Sequence, residues 1–221
     1  MSERTLSFST ANGDTTAFVV MPDNGGKKAV VLIQEWWGLN GHIKDIANRY
    51  ASEGFIAIAP DLYRGKIATN SDDASKMMND LAVEDGIDTI KNALAKASDE
   101  LGISHFGITG YCMGGTFALR AACVLEGFSA AAPFYGDIPD EDVLMKLRTP
   151  TMFISGIKDQ WINTEKVAGL EEIAERYELP VDSIKYEADH AFFNDTRPEV
   201  FDADAAQDAW AKVIAFFNDK L

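Results

Sequence analysis

Short apolar runs separated by helical patterns constrain the fold of this chain most strongly. The run Ala29-Val30-Val31-Leu32-Ile33 contains no polar residue, as expected for a strand that is buried on both faces of a sheet. Residues 55–59 and 106–109 form similar runs, and a segment with helical periodicity, residues 42–53, precedes the first of them. Strands that alternate with helices predict an α/β fold with a mostly parallel central sheet and helices on both faces.

The same patterns predict the other elements. The strand that contains residues 29–33 is predicted to extend over 28–34, and further strands are predicted at residues 16–21, 129–134, 151–155 and 183–187. One or two helices are predicted over residues 73–98, with a break near Asp85-Gly86, after a polar loop at residues 66–72. Two more are predicted at residues 163–177, with Asn163 or Thr164 as N-cap, and at 199–218. The length of 221 residues fits one domain, so residues 1–221 are predicted to form a single domain.

Charge and cysteine content exclude several classes of partner. The formal net charge of −15 disfavours binding to nucleic acid and to anionic membranes. No apolar run is long enough to span a membrane, and residues 1–5 do not resemble a signal peptide. Cys112 and Cys123 lie about three helical turns apart if one helix carries both, which is too far for a disulfide. We therefore expect two free thiols and a cytoplasmic protein.

The segment Gly110-Tyr111-Cys112-Met113-Gly114-Gly115 carries the strongest chemical signal. An apolar strand precedes it and a helical pattern follows it, so Cys112 is predicted at the tip of a tight strand–turn–helix junction. The pattern is that of the nucleophile elbow G-x-S-x-G, with cysteine in place of serine. A cysteine at this position is predicted to act as a nucleophile if a base and an oxyanion site are available to it.

Two more polar residues follow predicted strands and are expected at the same edge of the sheet. Asp159 follows the strand at 151–155, and His190 follows the strand at 183–187. The order of nucleophile, acid and histidine is that of α/β-hydrolases. His190 is predicted to take the proton of the Cys112 thiol and later return it to a leaving group. Asp159 is predicted to fix the tautomer of His190 and to stabilise its charged form.

The loops after other strands supply further candidates. The backbone N–H of Met113 is predicted to bind the oxyanion, with a second donor from the loop at residues 34–38. Glu35 in that loop is predicted to be a poorly solvated carboxylate near the nucleophile, where it raises the pKa of the thiol or is itself protonated. Other loop residues at this edge are predicted to contact substrate, namely Tyr135, Trp37, Tyr63 and Arg64.

Five ordered motifs together resemble the dienelactone hydrolase family, and the resemblance covers nearly the whole chain. They are Gln34-Glu35-Trp36-Trp37-Gly38-Leu39-Asn40, Pro60-Asp61-Leu62-Tyr63, Gly110-Tyr111-Cys112-Met113-Gly114-Gly115, Gly156-Ile157-Lys158-Asp159 and His190-Ala191-Phe192. The resemblance implies an α/β-hydrolase fold without a large cap domain. It also implies a Cys-His-Asp triad that needs neither a metal nor an organic cofactor and acts on cyclic or activated esters.

The resemblance assigns roles to individual residues as well. Cys112, His190 and Asp159 match the triad of the family. Glu35 matches a glutamate that holds the thiol proton until substrate binds, and the N–H of Trp36 matches the second oxyanion donor. Dienelactone-cleaving members hold the substrate carboxylate with two arginines, which have no direct counterpart here; Arg197 and Lys76 are the replacements that the sequence offers.

The leading hypothesis is a hydrolase of small cyclic or activated esters that forms a thioacyl-enzyme at Cys112. The alternative is a noncatalytic or redox-sensing protein of the α/β-hydrolase fold in which Cys112 is an oxidisable thiol. The expected partner is a small-molecule ester or lactone. The chain is expected to be a monomer or a small homo-oligomer.

Overall fold

The computed structural model describes residues 1–23 and 25–221. These residues divide into two compact units, 1–107 and 108–221. Whether they form the single domain predicted from the sequence stays a prediction. Within the described ranges, no helix combines the length and the apolar composition that crossing a membrane requires.

Four strands and three helices are formed by the described residues of the first unit, 1–23 and 25–107. In chain order they are β1 (Ser2–Thr10), β2 (Gly13–Met21), β3 (Ala29–Ile33), α1 (Gly41–Ser52), β4 (Ile56–Pro60), α2 (Ser71–Asp80) and α3 (Val83–Leu101). The strand order is β1-β2-β4-β3, with antiparallel pairing of β1 to β2 and of β2 to β4 and parallel pairing of β3 to β4. Every residue of β3 and β4 is buried, which confirms the prediction from their continuous apolar runs.

Two features of the first unit differ from the sequence-based prediction. Strand β1 was not predicted because Leu6 is its only buried residue, and its position depends on nine residue pairs with β2. The predicted helix break near Asp85-Gly86 is wrong, because α2 ends at Asp80 and α3 begins at Val83. Gly86 is one of the buried residues of α3, so its small size serves packing instead of ending the helix.

The second unit alternates strands with helices. Its elements are β5 (Phe106–Tyr111), of which the last four residues belong to this unit, α4 (Met113–Val124), β6 (Phe128–Phe134), α5 (Glu141–Leu144), β7 (Thr151–Gly156), α6 (Thr164–Arg176), β8 (Val181–Tyr186) and α7 (Ala203–Lys220). The strand order is β5-β6-β7-β8, and β7 pairs in parallel with both β6 and β8. The carboxyl ends of these three parallel strands therefore meet at one edge, where α/β proteins bind ligands.

Side-chain caps fix the starts of two helices in this unit. Asn163 caps α6, as predicted, and its side chain accepts a hydrogen bond from the Lys166 N–H at 3.0 Å. The predicted start of the last helix at residue 199 is wrong, because α7 begins at Ala203. Asp202 caps α7 by accepting a hydrogen bond from the Ala205 N–H at 3.0 Å, so this acceptor determines the first turn.

Candidate active site

Cys112 occupies a strained turn between β5 and α4. Its φ of +55° lies in the left-handed half of backbone space, which a residue with a side chain rarely adopts. Such a conformation costs about 1–3 kcal/mol and persists only when neighbouring contacts enforce it. Here the Cys112 N–H donates to the Phe134 carbonyl at 3.2 Å, and the Cys112 carbonyl accepts from the Thr116 N–H at 3.2 Å. The strand–turn–helix geometry predicted for this cysteine is therefore present.

Two glycines allow the turn to pack against the end of β6. A Cβ atom added to Gly115 would lie 2.3 Å from the Phe134 carbonyl oxygen, and one added to Gly136 would lie 2.2 Å from the Gly115 carbonyl carbon. Backbone therefore touches backbone at this point, and any side chain on either residue would push α4 away from β6. This contact keeps Cys112 in register with the carboxyl end of β6.

Asp159 and His190 are in direct contact. The Asp159 Oδ2 atom lies 2.6 Å from His190 Nδ1, and the Asp159 Oδ1 atom accepts hydrogen bonds from the N–H groups of Trp161, at 2.7 Å, and Ile162, at 2.9 Å. The Asp159 side chain is fully buried, and that of His190 is 12% exposed. The Lys158 N–H donates to the Ala188 carbonyl at 3.1 Å, which joins the loop after β7 to the segment that leads to His190.

The environment of Asp159 favours its ionised form. Burial alone would raise the pKa of its carboxyl group. The hydrogen bond and the charge of His190, together with the two backbone N–H donors, outweigh burial and hold that pKa below its ordinary value. Asp159 therefore stays a carboxylate that accepts a hydrogen bond from His190 and fixes which ring nitrogen of the histidine faces it.

The other ring nitrogen of His190, Nε2, is available for chemistry. It is buried and has no hydrogen-bond partner among the described residues. A buried ring nitrogen without a partner is costly unless a substrate or a reacting group uses it. Because Nδ1 is held by Asp159, Nε2 is the atom that can take up and return a proton.

A short path of contacts connects the cysteine turn to the histidine. Cys112 is hydrogen-bonded through its backbone to Phe134, and the next residue, Tyr135, has its ring centroid 5.1 Å from that of His190. Tyr111, the residue before Cys112, stacks its ring on that of Phe193 with centroids 4.9 Å apart. Phe193 follows His190 by three residues. The elbow and the Asp159–His190 pair therefore belong to one packed cluster in the second unit.

Two aromatic side chains flank His190, and only one was predicted. Tyr135 was predicted as a substrate contact; it is almost fully buried and has a φ of +37°. Trp161 was not predicted. Its ring approaches His190 edge-on with centroids 4.8 Å apart, yet 64% of the residue is exposed. The sequence indicated a site role for Trp161 only through its position two residues after Asp159. The hydrogen bonds of the Asp159 carboxylate determine the path of this loop.

Two further predicted site residues of the second unit, Met113 and Arg197, differ in their surroundings. Met113 is the first residue of α4 and follows the cysteine directly, as the oxyanion role requires. The guanidinium of Arg197 pairs with Glu199 at 2.8 Å on the surface. Arg197 is thus engaged with a carboxylate of its own chain, and its predicted role in substrate binding stays a prediction.

The candidates of the first unit surround the ends of β3 and β4. Glu35 follows β3 and is 2% exposed, which agrees with the poorly solvated carboxylate predicted there. The rings of Trp36 and Trp37 meet edge to face at 5.1 Å. The predicted roles of Glu35, Trp36 and Trp37 stay predictions.

The loop after β4 is organised by Asp61. Its carboxylate accepts hydrogen bonds from the N–H groups of Tyr63, at 2.9 Å, and Gly65, at 2.6 Å. Arg64, between them, forms a two-point ion pair with Asp85, in which Nη1 lies 2.9 Å from Oδ2, and also donates to the Thr10 hydroxyl at 3.1 Å. Lys76, the other predicted replacement cation, pairs with Asp80. These cations already hold carboxylates of the same chain.

Neither a disulfide nor a metal cluster is found in residues 1–23 and 25–221. Cys112 is half-buried, Cys123 is buried, and they are not bonded to each other. Within the same ranges no group of three or more His, Cys, Asp or Glu side chains could hold a metal ion.

The low pKa of Asp159 predicts a pH-dependent contribution to stability. Asp159→Asn should lower the free energy of unfolding at pH 7 by about 2 kcal/mol, since hydrogen bonds to a charged group are lost. A carboxyl group whose pKa is lower in the folded state stabilises the protein above its unfolded pKa, near 3.9. This stabilisation is lost as pH falls through the folded pKa, so the difference between variant and wild type should shrink in acid.

Urea unfolding of both proteins at several pH values between 7 and 3 measures this difference. Asp189→Asn is the control, since it removes an exposed carboxylate from the loop after β8, next to His190. A difference between Asp159→Asn and wild type that stays constant down to pH 3 would contradict the assignment.

Comparison with known proteins agrees with these features. The sequence profile of the dienelactone hydrolase family matches residues 15–221. The protein named usf of Aquifex pyrophilus is 36% identical over 218 residues, which cover 92% of this chain and 93% of the relative. A protein of Aquifex aeolicus with a provisional carboxymethylenebutenolidase name is 35% identical over 205 residues, with 87% of this chain and 88% of the relative covered.

Solved structures confirm the predicted α/β-hydrolase fold. A Klebsiella pneumoniae protein, provisionally described as a dienelactone hydrolase, has a TM-score of 0.88 at 24% identity and covers 99% of both chains. A dienelactone hydrolase-like promiscuous phosphotriesterase from metagenomic libraries has a TM-score of 0.91 at 18% identity, with 99% of this chain and 98% of the other covered. The profile match and the identity to the Aquifex relatives show that this chain belongs to the dienelactone hydrolase family.

Proposed function

We propose that this protein hydrolyses small cyclic or activated esters through a thioacyl-enzyme at Cys112. As a member of the dienelactone hydrolase family it is a hydrolase that acts on esters. The nucleophile, the intermediate and the class of ester are our proposal. Its main support is the Asp159–His190 pair, whose buried and unpartnered Nε2 lies in the same packed cluster as the strained cysteine turn.

The proposed reaction begins with activation of the thiol. His190 Nε2 takes the Cys112 proton, and Asp159 stabilises the imidazolium that forms. The thiolate attacks the ester carbonyl carbon, and the electron pair of the C=O bond moves to oxygen. The N–H of Met113 stabilises this oxyanion, at the N-terminal end of α4 where the helix dipole favours negative charge.

The second half of the reaction releases the products. The tetrahedral intermediate collapses, the alkoxide leaves with the proton from His190, and Cys112 retains the acyl group. In a lactone the alkoxide stays attached to the acyl chain. His190 then takes a proton from water, and the resulting hydroxide attacks the thioester carbonyl. The C–S bond breaks, the carboxylic acid leaves, and His190 returns the proton to the departing thiolate.

The ion pairs of Arg64 and Arg197 affect which class of ester the site can bind. Arg64 pairs with Asp85 through two nitrogens and Arg197 pairs with Glu199 through Nε, so a carboxylate of the same chain already balances the charge of each. We propose that the substrate is an ester or lactone without an essential carboxylate, and that the exposed ring of Trp161 beside His190 contacts its apolar part. A free thiol nucleophile needs a reducing compartment, which supports the cytoplasm as the location.

Glu35 and Trp36 complete the proposal by family resemblance. Trp36 would provide the second oxyanion N–H, and Glu35 would keep the Cys112 thiol protonated until substrate binds. Burial of Glu35 supports such a role, because water screens the charge of a buried carboxylate poorly, so it would disfavour a neighbouring thiolate strongly.

The Cys112→Ala variant tests the nucleophile. It should lose both the initial burst and the steady turnover of an activated ester such as p-nitrophenyl acetate, with turnover reduced at least about a thousandfold. Cys123→Ala is the matched control and should retain wild-type turnover, since burial raises the pKa of the Cys123 thiol to about 12 and keeps it unreactive. Stopped-flow release of p-nitrophenol measures both phases.

Full turnover in Cys112→Ala would contradict the proposal. If wild type and variant both lack turnover, while peroxide alters ligand binding only in the wild type, the redox-sensing alternative would be favoured.

The Glu35→Gln variant tests the resting state of the thiol. Wild-type Cys112 should react slowly with iodoacetamide at pH 7, and Glu35→Gln should react faster because a negative charge that disfavours the thiolate is removed. Alkylation of Cys112 is followed by mass spectrometry over time. Rapid alkylation of the wild type at pH 7, unchanged in Glu35→Gln, would exclude this role.

A further inference from the structure

The second unit contains a cavity far from Cys112. Its volume is about 520 Å³, within the range of about 300–1,000 Å³ that small-molecule sites occupy. Residues 122–129, 146 and 148–150 line it. They belong to the end of α4, the start of β6 and the segment before β7. Cys112 lies at the other end of α4, about 18 Å away along a 12-residue helix.

The cavity lies at the edge of the sheet opposite to the candidate active site. It is formed where β6 and β7 begin, whereas Tyr135 and Asp159 follow the ends of the same two strands. Nothing in the proposed reaction uses these residues. Ester hydrolysis at Cys112 therefore does not account for this cavity.

Two cations that line the cavity have no carboxylate partner. In the second unit, six cations form ion pairs with carboxylates, namely Lys166, Arg176, Lys185, Arg197, Lys212 and Lys220. In the described part of the second unit, Lys146 and Arg148 form none, and neither does Arg120. Lys158 is the fourth such cation, and it lies in the loop before Asp159, at the other edge. Lys146 and Arg148 are thus two unpaired cations that line one cavity in a strongly acidic protein.

The guanidinium of Arg148 is held in position. Its Nη1 atom donates to the carbonyl oxygens of Met145, at 2.9 Å, and Leu147, at 2.8 Å. The other N–H groups of Arg148 donate no hydrogen bond to a described residue. An oriented guanidinium with open donors is suited to binding a carboxylate at two points.

The neighbouring thiol does not neutralise this charge. Burial raises the pKa of Cys123 to about 12, although Arg120 and Lys146 are close enough to oppose the rise. Cys123 therefore stays uncharged and contributes apolar surface to the wall. Val124, Leu125 and Phe128 contribute more apolar surface, and Val124 is 43% exposed.

We propose that this cavity binds a small organic monocarboxylate with an apolar tail. The carboxylate pairs with Lys146 and Arg148, and the tail packs on Val124, Leu125 and Phe128. Glu126 also lines the cavity and offsets one of the two positive charges, so the net charge of the lining suits a ligand with a single acid group. The site is independent of Cys112 and of the ester hydrolysis proposed above.

An NMR titration with hexanoate tests the proposal on the full-length protein. Hexanoate should cause saturable shifts of the backbone amide signals of Glu126, Gly127 and Phe128. The neutral analogue hexanamide should bind at least tenfold more weakly, because it lacks the charge. Lys146→Gln/Arg148→Gln should reduce the hexanoate affinity at least tenfold, whereas Lys27→Gln/Lys91→Gln, which removes two exposed lysines elsewhere, should leave it unchanged.

Three outcomes would overturn the proposal. The first is the absence of saturable shifts at residues 126–128. The second is equal affinity in Lys146→Gln/Arg148→Gln and wild type, with lower thermal stability of the variant; the cations would then serve only the C-terminal dipole of α4, which has no basic residue in its own last turn. The third is loss of binding in Cys112→Ala, which would assign the carboxylate to the hydrolytic site. Retained binding in that variant supports a separate site whether or not the protein hydrolyses esters.

Discussion

The hydrogen bond between Asp159 and His190 determines what the candidate site can do. It connects the loop after β7 with the loop after β8 across 2.6 Å, and it leaves one histidine nitrogen, Nε2, for proton transfer. The bond exists because Asp159 is buried and its other oxygen is occupied by two backbone N–H groups. A rotated or exposed Asp159 would leave the tautomer of His190 undetermined, and the thiol would have no defined base.

Backbone contact between glycines determines where the nucleophile stands. Gly115 and Gly136 meet without room for a Cβ atom, so α4 is pressed against the end of β6. The strained φ of Cys112 is maintained by hydrogen bonds on both sides of the turn. Packing of α4 against β6 thus enforces the strained backbone of Cys112, and the side chains at this edge of the sheet are available for the proposed reaction.

Sequence patterns predicted those parts of the structure that depend on local periodicity and on strand order. Asp159 and His190 were predicted to meet because both follow parallel strands, and they do. Strand β1 was missed because it is mostly exposed, and the position of the helix break was wrong because Gly86 serves packing. The contact of Trp161 with His190 and the ion pair of Arg64 with Asp85 depend on loop paths and tertiary contacts that no periodicity encodes.

The central claim is that an acyl group resides on Cys112 during turnover. Acid quenching in the presence of a slow activated ester, followed by peptide mass spectrometry, tests this directly. We predict an acyl adduct on the peptide that contains Cys112, and neutral hydroxylamine should remove it as expected for a thioester. Turnover without any adduct on Cys112, or with an adduct on another residue, would contradict the account.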